Sequence, residues 1–358
     1  MIRSLQARKR PGVSVLTQLF SANLSDRDAR LTPSEFTISA RQFIVLPALK
    51  ISRGEIVELK CGCEAQKCPN ATCGGTVIDP AGNHAILCHA GIGARKATLL
   101  ERGLERVFRK AGGRACRQPT TFRLLGEVVP KDDLAALFPG GLSLTETKKN
   151  KDLAIELVDA FTMPSSALKE SVIEEVRSRL PAIDEDKKEA NANIIRFDLS
   201  LAGSFPVDAP RELWLDHAIV HETSESYQDA VINHLEAGDI SKSLPFRRAE
   251  TSKQRRFAAL IPLVSHLLKQ NILDFQPFFL FPVMSALGYV NEDAEKMFKW
   301  MSAVMNKTLT GFRDDGIPFS VIKARYKKDV RNAVCFGLLR GNALAMSSVG
   351  RPHVMRAL

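Results

Sequence analysis

Five of the seven cysteines and two of the seven histidines lie between residues 61 and 89. Buried free thiols usually come singly among apolar residues, whereas these sit among Gly, Pro, Asn and Lys. Zinc needs four soft or borderline ligands in a tetrahedron, and short loops supply them when paired ligands stand two to five residues apart. Cys68-x4-Cys73, then ten residues, then His84-x3-Cys88 meets that need, with Gly74, Gly75 and Gly82 permitting the turns. Cys61 and Cys63 form a competing first pair, so the choice of four ligands stays open. Asp79 reads as a turn residue. Structural Zn2+ in a module at 59–92 is therefore expected.

The chain has 358 residues, enough for about two domains of ordinary size. Its formal charge of +10 points to a polyanionic partner, because excess Lys and Arg create a long-range field that attracts phosphates. The first twenty residues lack a continuous apolar core of the secretory kind. The most apolar run, "FFLFPVMSALGYV", is too short for a membrane span and contains Pro282. A soluble, intracellular protein with reduced cysteines and no membrane partner is the expectation.

Periodicity outlines an α/β core with helical flanks. Residues 1–58 read as a helical N-terminal segment. "ARKATLLERGLERVFRKAGG" sets Ala97, Leu100, Leu104, Val107, Phe108 and Ala111 on one helical face and Arg95, Lys96, Arg102, Arg106, Arg109 and Lys110 on the other. Residues 126–190 read as an insertion of loops around one or two helices. "IIRFDLSLAG" alternates as a half-buried strand. "ELWLDHAIVHE" is too apolar on both faces for an edge strand. "TSESYQDAVINHLEAG" reads as a capped helix, and "RRAETSKQRRFAAL" begins another that Pro262 kinks or ends. "FQPFFLFPV" reads as a short strand, and two helices close the chain over 291–358. Trp300, Met301 and Met305 have the spacing of core packing. "FRDD" at 312–315 reads as a surface turn, since Asp-Gly-x-Pro follows.

Two acids stand out on the strands. Asp198 projects from the first, and Asp216 lies in the second among Leu213, Trp214, Leu215 and Ala218, where a buried carboxylate needs a cation or donors. One carboxylate on each of two adjacent strands can hold Mg2+, which seeks oxygen ligands, and Lys253 on the next helix can offer an ammonium to the same phosphate. The same acids also suit ordinary salt bridges. "SKSLPFRRAETSKQRRF" holds six Lys or Arg against one acid, Glu250. Such a run is commonly a solvated face, but beside paired carboxylates Arg247, Arg248, Arg255 and Arg256 can track a phosphate backbone.

The order of these motifs resembles the C-terminal region of non-LTR retrotransposon polyproteins, where a zinc knuckle precedes a restriction-like endonuclease of the PD-(D/E)XK type. The resemblance is carried by "DPAGNHAILC" (79–88), "RK" (95–96), "AGG" (111–113), "RFDLSL" (196–201), "LWLD" (213–216), "ETSKQRRF" (250–257), "DFQPFFLFPVMSALG" (274–288) and "LLRGNALA". It implies a restriction-endonuclease-like mixed sheet at 93–290 and a metal-dependent endodeoxyribonuclease that nicks a target site. Asp198 and Asp216 would be its catalytic carboxylates, with Lys253 as the family's lysine displaced onto a helix. Arg95 and Lys96 would join the nucleic-acid contacts. DNA or RNA, and the reverse-transcriptase portion of the same element, would be partners, and the nucleus the site of action on host DNA. The chain departs from the pattern at Ala218, which stands where simpler members have Lys. Phe197 stands where Pro is frequent, and Gln118 where an early acid is common, unless Glu127 substitutes. These departures leave a catalytically dead, zinc-containing nucleic-acid-binding remnant as the alternative.

Overall fold

The computed structural model describes residue 86 and residues 92–119, 128–137, 144–164, 167–180, 196–203, 211–221, 233–234, 240–258, 260–273, 275–286, 288–308 and 317–347. Cys61, Cys63, Cys68, Cys73, Asp79, His84, Cys88, Glu127, the segment 1–58, nearly all of the helix expected after Thr223 and the 312–315 turn lie outside these residues.

A mixed four-stranded sheet forms the centre. β1 (Arg114–Arg117), β2 (Leu199–Ala202), β3 (Arg211–Leu215) and β5 (Gln276–Leu280) lie in that order, the first two pairings antiparallel and the last parallel. Beyond Asp216–His217 the chain of β3 resumes as β4 (Ala218–Val220). β4 pairs in parallel with β6 (Val283–Ser285), which follows β5 after Phe281–Pro282. "ELWLDHAIVHE" thus occupies the interior position that its two apolar faces predict.

Each face of the sheet carries helices. Leu199, Leu201, Leu213 and Leu215 pack beneath α1 (Ile92–Lys110), α7 (Glu292–Thr308) and α8 (Phe319–Ser347), meeting Leu100, Leu104, Phe108, Met297, Met301 and Val334. Trp214 and Phe197 pack on the opposite face with Phe257, which caps the end of α5 (Leu244–Arg256), and with α6 (Leu260–Lys269). The expected insertion contributes to that second core. It forms α2 (Lys131–Leu137), α3 (Leu144–Thr162) and α4 (Ala167–Ser178), and Leu153, Leu157, Val158 and Val176 join Leu263 and Val264. Burial of each such side chain contributes about 1.5–3 kcal/mol.

Two expectations need correction. The first strand is not half-buried: Ser200 is covered as well as Leu199 and Leu201, because helices lie on both faces. A bend at Asp198 also sends Phe197 to the face opposite Leu199. In addition, α5 ends at Arg256, ahead of Pro262. Pro262 sits in the first turn of α6, where its missing N–H has no intrahelical partner to lose. What stops α5 is Phe257, whose ring stacks on Phe197 at 4.2 Å and on Phe281 at 5.6 Å.

α1 and α8 run antiparallel at unusually close range. A Cβ on Gly337 would stand 2.9 Å from Leu100 Cα, one on Gly341 2.8 Å from Lys96 Cγ, and one on Gly103 3.0 Å from the Ala333 carbonyl oxygen. No helix among the described residues is long and apolar enough to cross a membrane. Gly337→Leu is expected to force the helices apart and lower the unfolding free energy by about 1–3 kcal/mol in urea titration, as overpacking does.

Candidate metal and phosphate site

The carboxyl end of β3 is where the two faces of the sheet exchange side chains. Alternation places Trp214 under Phe257 and α6 and Leu215 under α1, so Asp216 continues toward Lys253 on α5 and His217 toward α1. The interruption between β3 and β4 frees this dipeptide from the ladder, although Asp216 N–H still donates to the Leu280 carbonyl. Asp198 lies alongside, its N–H on the Leu215 carbonyl at 2.8 Å.

Asp216 is 1 % exposed, and Lys253 Nζ stands 2.9 Å from its Oδ2. The contact is an ion pair between a buried carboxylate and a partly buried ammonium. Arg256, three residues further along α5, approaches the same oxygen to 3.9 Å, its guanidinium over the Phe257 ring. Asp198 Oδ2 accepts from His217 twice, from the backbone N–H at 2.8 Å and opposite Nδ1 at 2.7 Å. From the other layer α1 delivers Glu101, buried, to the same place: Glu101, Asp198 and His217 each offer a ligand atom, all within 4.8 Å of one another.

Burial and neighbouring charge set the acids apart. Burial pushes the Asp216 carboxyl up to about 6, with repulsion from Asp198 adding to the rise and Lys253 opposing it. Burial works on Asp198 in the same direction, but the His217 imidazole, its backbone N–H and Lys253 outweigh it and hold that carboxyl well below the usual range. Glu101 is raised by burial, and Asp198 raises it further. His217 is penalised by burial, yet the charges of Asp198 and Glu101 win and raise its affinity for a proton. Buried carboxylates whose proton affinity a neighbouring carboxylate raises, as Asp198 raises Asp216 and Glu101, are the electrostatic signature of a place suited to a cation. The carboxylate oxygens of Glu101 and Asp198 are hard donors that could hold a divalent cation.

The structure therefore brings Asp198, Asp216 and Lys253 together. It adds two residues that sequence reading passed over. Glu101 follows Ala97 by four and precedes Leu104 by three, a carboxylate lying in the apolar stripe of α1, which was its visible signal. His217 had no sequence signal beyond adjoining Asp216. Gln118 is an exposed residue at φ 50° whose N–H donates to the Asp198 carbonyl. Arg247, Arg248, Arg255 and Arg256 are exposed on α5, as expected. Lys96 is a correction. It is buried and donates to the Ile86 carbonyl at 2.7 Å, because α8 covers this side of α1 and Gly341 leaves room for its stem. Arg95 lies on α1, and its side chain is outside the described residues. No family model, curated protein or solved structure matches this chain.

Asp216 inverts the usual pH dependence of a paired carboxylate. Its folded-state pKa exceeds its ordinary value of 3.8, so the native state binds the extra proton. The cost of ionising it is absent below about pH 4, grows as pH rises between 4 and 6, and is complete above that range. Asp216→Asn is expected to raise stability relative to the parent by on the order of 1–3 kcal/mol at pH 7.5 and by much less at pH 4, measured by denaturant titration across pH. An increment independent of pH would refute the buried, ionised carboxylate.

Proposed function

We propose that the chain is a retrotransposon-derived, metal-dependent DNA endonuclease with a restriction-like core, hydrolysing phosphodiesters to nick a target site. The single observation that carries this reading is that the Glu101–Asp198–His217 group and the Asp216–Lys253 ion pair adjoin at the end of β3, close enough for Asp198 to act electrostatically on Asp216. A mixed sheet covered by helices on both faces, with its acids where β3 breaks off, supports the restriction-like description.

Asp198 and Glu101, with Asp216 or His217, would hold Mg2+ or Mn2+. Such an ion makes a bound water more acidic and neutralises charge on the phosphate. His217 fixes Asp198 by gripping one oxygen with two donors, which sets the direction of the other. Lys253 and Arg256 place two cations, less than one helical turn apart, where the anionic oxygens of a phosphodiester would lie. Asp216, with a pKa of about 6, is mostly ionised near neutrality and still basic enough to take a proton from attacking water. That proton leaves as the water oxygen bonds to phosphorus and the bond from phosphorus to the sugar oxygen breaks, the departing oxygen taking a proton from solvent water. In this reading structural zinc braces the Cys/His segment, the reverse-transcriptase portion of the element is a partner, and the work is done in the nucleus.

A second reading, a nucleic-acid-binding remnant without cleavage, is favoured by the way Lys253 and His217 already balance the two aspartates. Plasmid nicking separates the two. Supercoiled DNA with Mg2+ or Mn2+ is expected to be nicked by the parent protein, and Asp198→Ala and Lys253→Ala are each expected to lower the rate by on the order of 10²–10³ at a temperature where circular dichroism shows the variants folded. Nicking that survives Asp198→Ala would overturn the catalytic assignment. A parent that binds DNA without nicking it under either ion would leave the remnant.

A further inference from the structure

The cations of α5 adjoin the site, but a second basic surface lies on the other layer, and nothing in the catalytic reading uses it. The close contacts between α1 and α8 pair residue 103 with 333, 100 with 337 and 96 with 341. This constant antiparallel register, extended along α1, sets Lys110 beside Tyr326 and Lys327. The exposed C-terminal turns of α1 and the exposed first turns of α8 therefore lie side by side. Arg106, Lys110 and Arg114 come from the α1 side, and Arg325, Lys327 and Lys328 from α8, all with exposed side chains. Asp329 is the single acid between residues 319 and 347.

We propose that this α1–α8 ridge is a duplex DNA-binding surface that holds the flank of the substrate while its cleavage site lies at β3. The proposal rests on the nuclease reading for the position of the cut and on charge for the contact. Packed helix axes stand about 8–10 Å apart, so the ridge presents two rows of cations at that spacing. Rows so separated match the phosphates lining a groove of about 6–12 Å, which a duplex has and a single strand lacks. Lys110 is nine residues beyond Glu101 on one helix, about 14 Å at 1.5 Å per residue. At about 3.4 Å per phosphate along a strand, the ridge meets DNA some four base pairs from the cut. Arg117 bridges the interval: it pairs with Glu105 at 3.0 Å and acts electrostatically on Glu101.

The test is fluorescence anisotropy of a 30-base-pair duplex against the full chain across a KCl series. The triple variant R325A/K327A/K328A is expected to bind at least about tenfold more weakly at 100 mM salt. Its slope of log K against log salt should be shallower by about 2–3, roughly 0.9 per lost phosphate contact. Lys269→Ala, exposed at the end of α6 on the opposite layer, is the control and should leave the slope unchanged. Should the triple variant misfold by circular dichroism, Lys327→Gln and Lys328→Gln singly should each lower the slope by about one. A slope and affinity equal to the parent's in folded variants would overturn the ridge, even in a protein that nicks. A parent that binds the duplex through the ridge but never nicks would uphold it and defeat the nuclease reading instead.

Discussion

A carboxylate nearly sealed from water at the end of a central strand governs this structure. Asp216 follows three large apolar residues, and folding buries it with them. Ionising such a group without a partner would cost several kcal/mol, so the fold brings a cation to it. Lys253 is that cation, and it reaches Asp216 because the Phe197–Phe257–Phe281 stack pins the end of α5. The neighbouring pair, Asp198 with His217, repeats the solution from the other side of the sheet.

Placing charge at this depth has a stability cost that the surrounding core must offset. Two hydrophobic clusters, one on each face, close around the strands, so that Glu101 reaches Asp198 and His217 from α1 while Lys253 reaches Asp216 from α5. Close passage of α8 over Gly103 and beneath its own Gly337 and Gly341 locks α1. A site with donors on rigid elements and several buried charges is organised before any ligand arrives, which is what electrostatic catalysis requires.

Much of this was legible in the sequence, and the rest failed for identifiable reasons. Alternation found β2, two-faced apolarity found β3 and placed it inside, and the strand acids with a basic helix named Asp198, Asp216 and Lys253. Glu101 escaped because a helix read alone gives no reason for an acid in its apolar stripe, and the reason lies on strands about a hundred residues away. Lys96 was set among surface cations because α8, which covers it, comes 220 residues later in the chain. Pro262 looked like the end of a helix because prolines break helices, yet the aromatic stack had already ended it. Local chemistry was readable; which face each element shares with a distant partner was not.

The central claim is that the buried acids form one divalent-cation site. Electron paramagnetic resonance of Mn2+ titrated into the full chain tests it most directly, since signal loss on binding is independent of catalysis and of any zinc in the Cys/His segment. One Mn2+ per chain, displaced by Mg2+ and lost in both Glu101→Gln and Asp198→Asn, is the result this account predicts. Mn2+ binding that persists unchanged in both variants, or none in the parent, would contradict it.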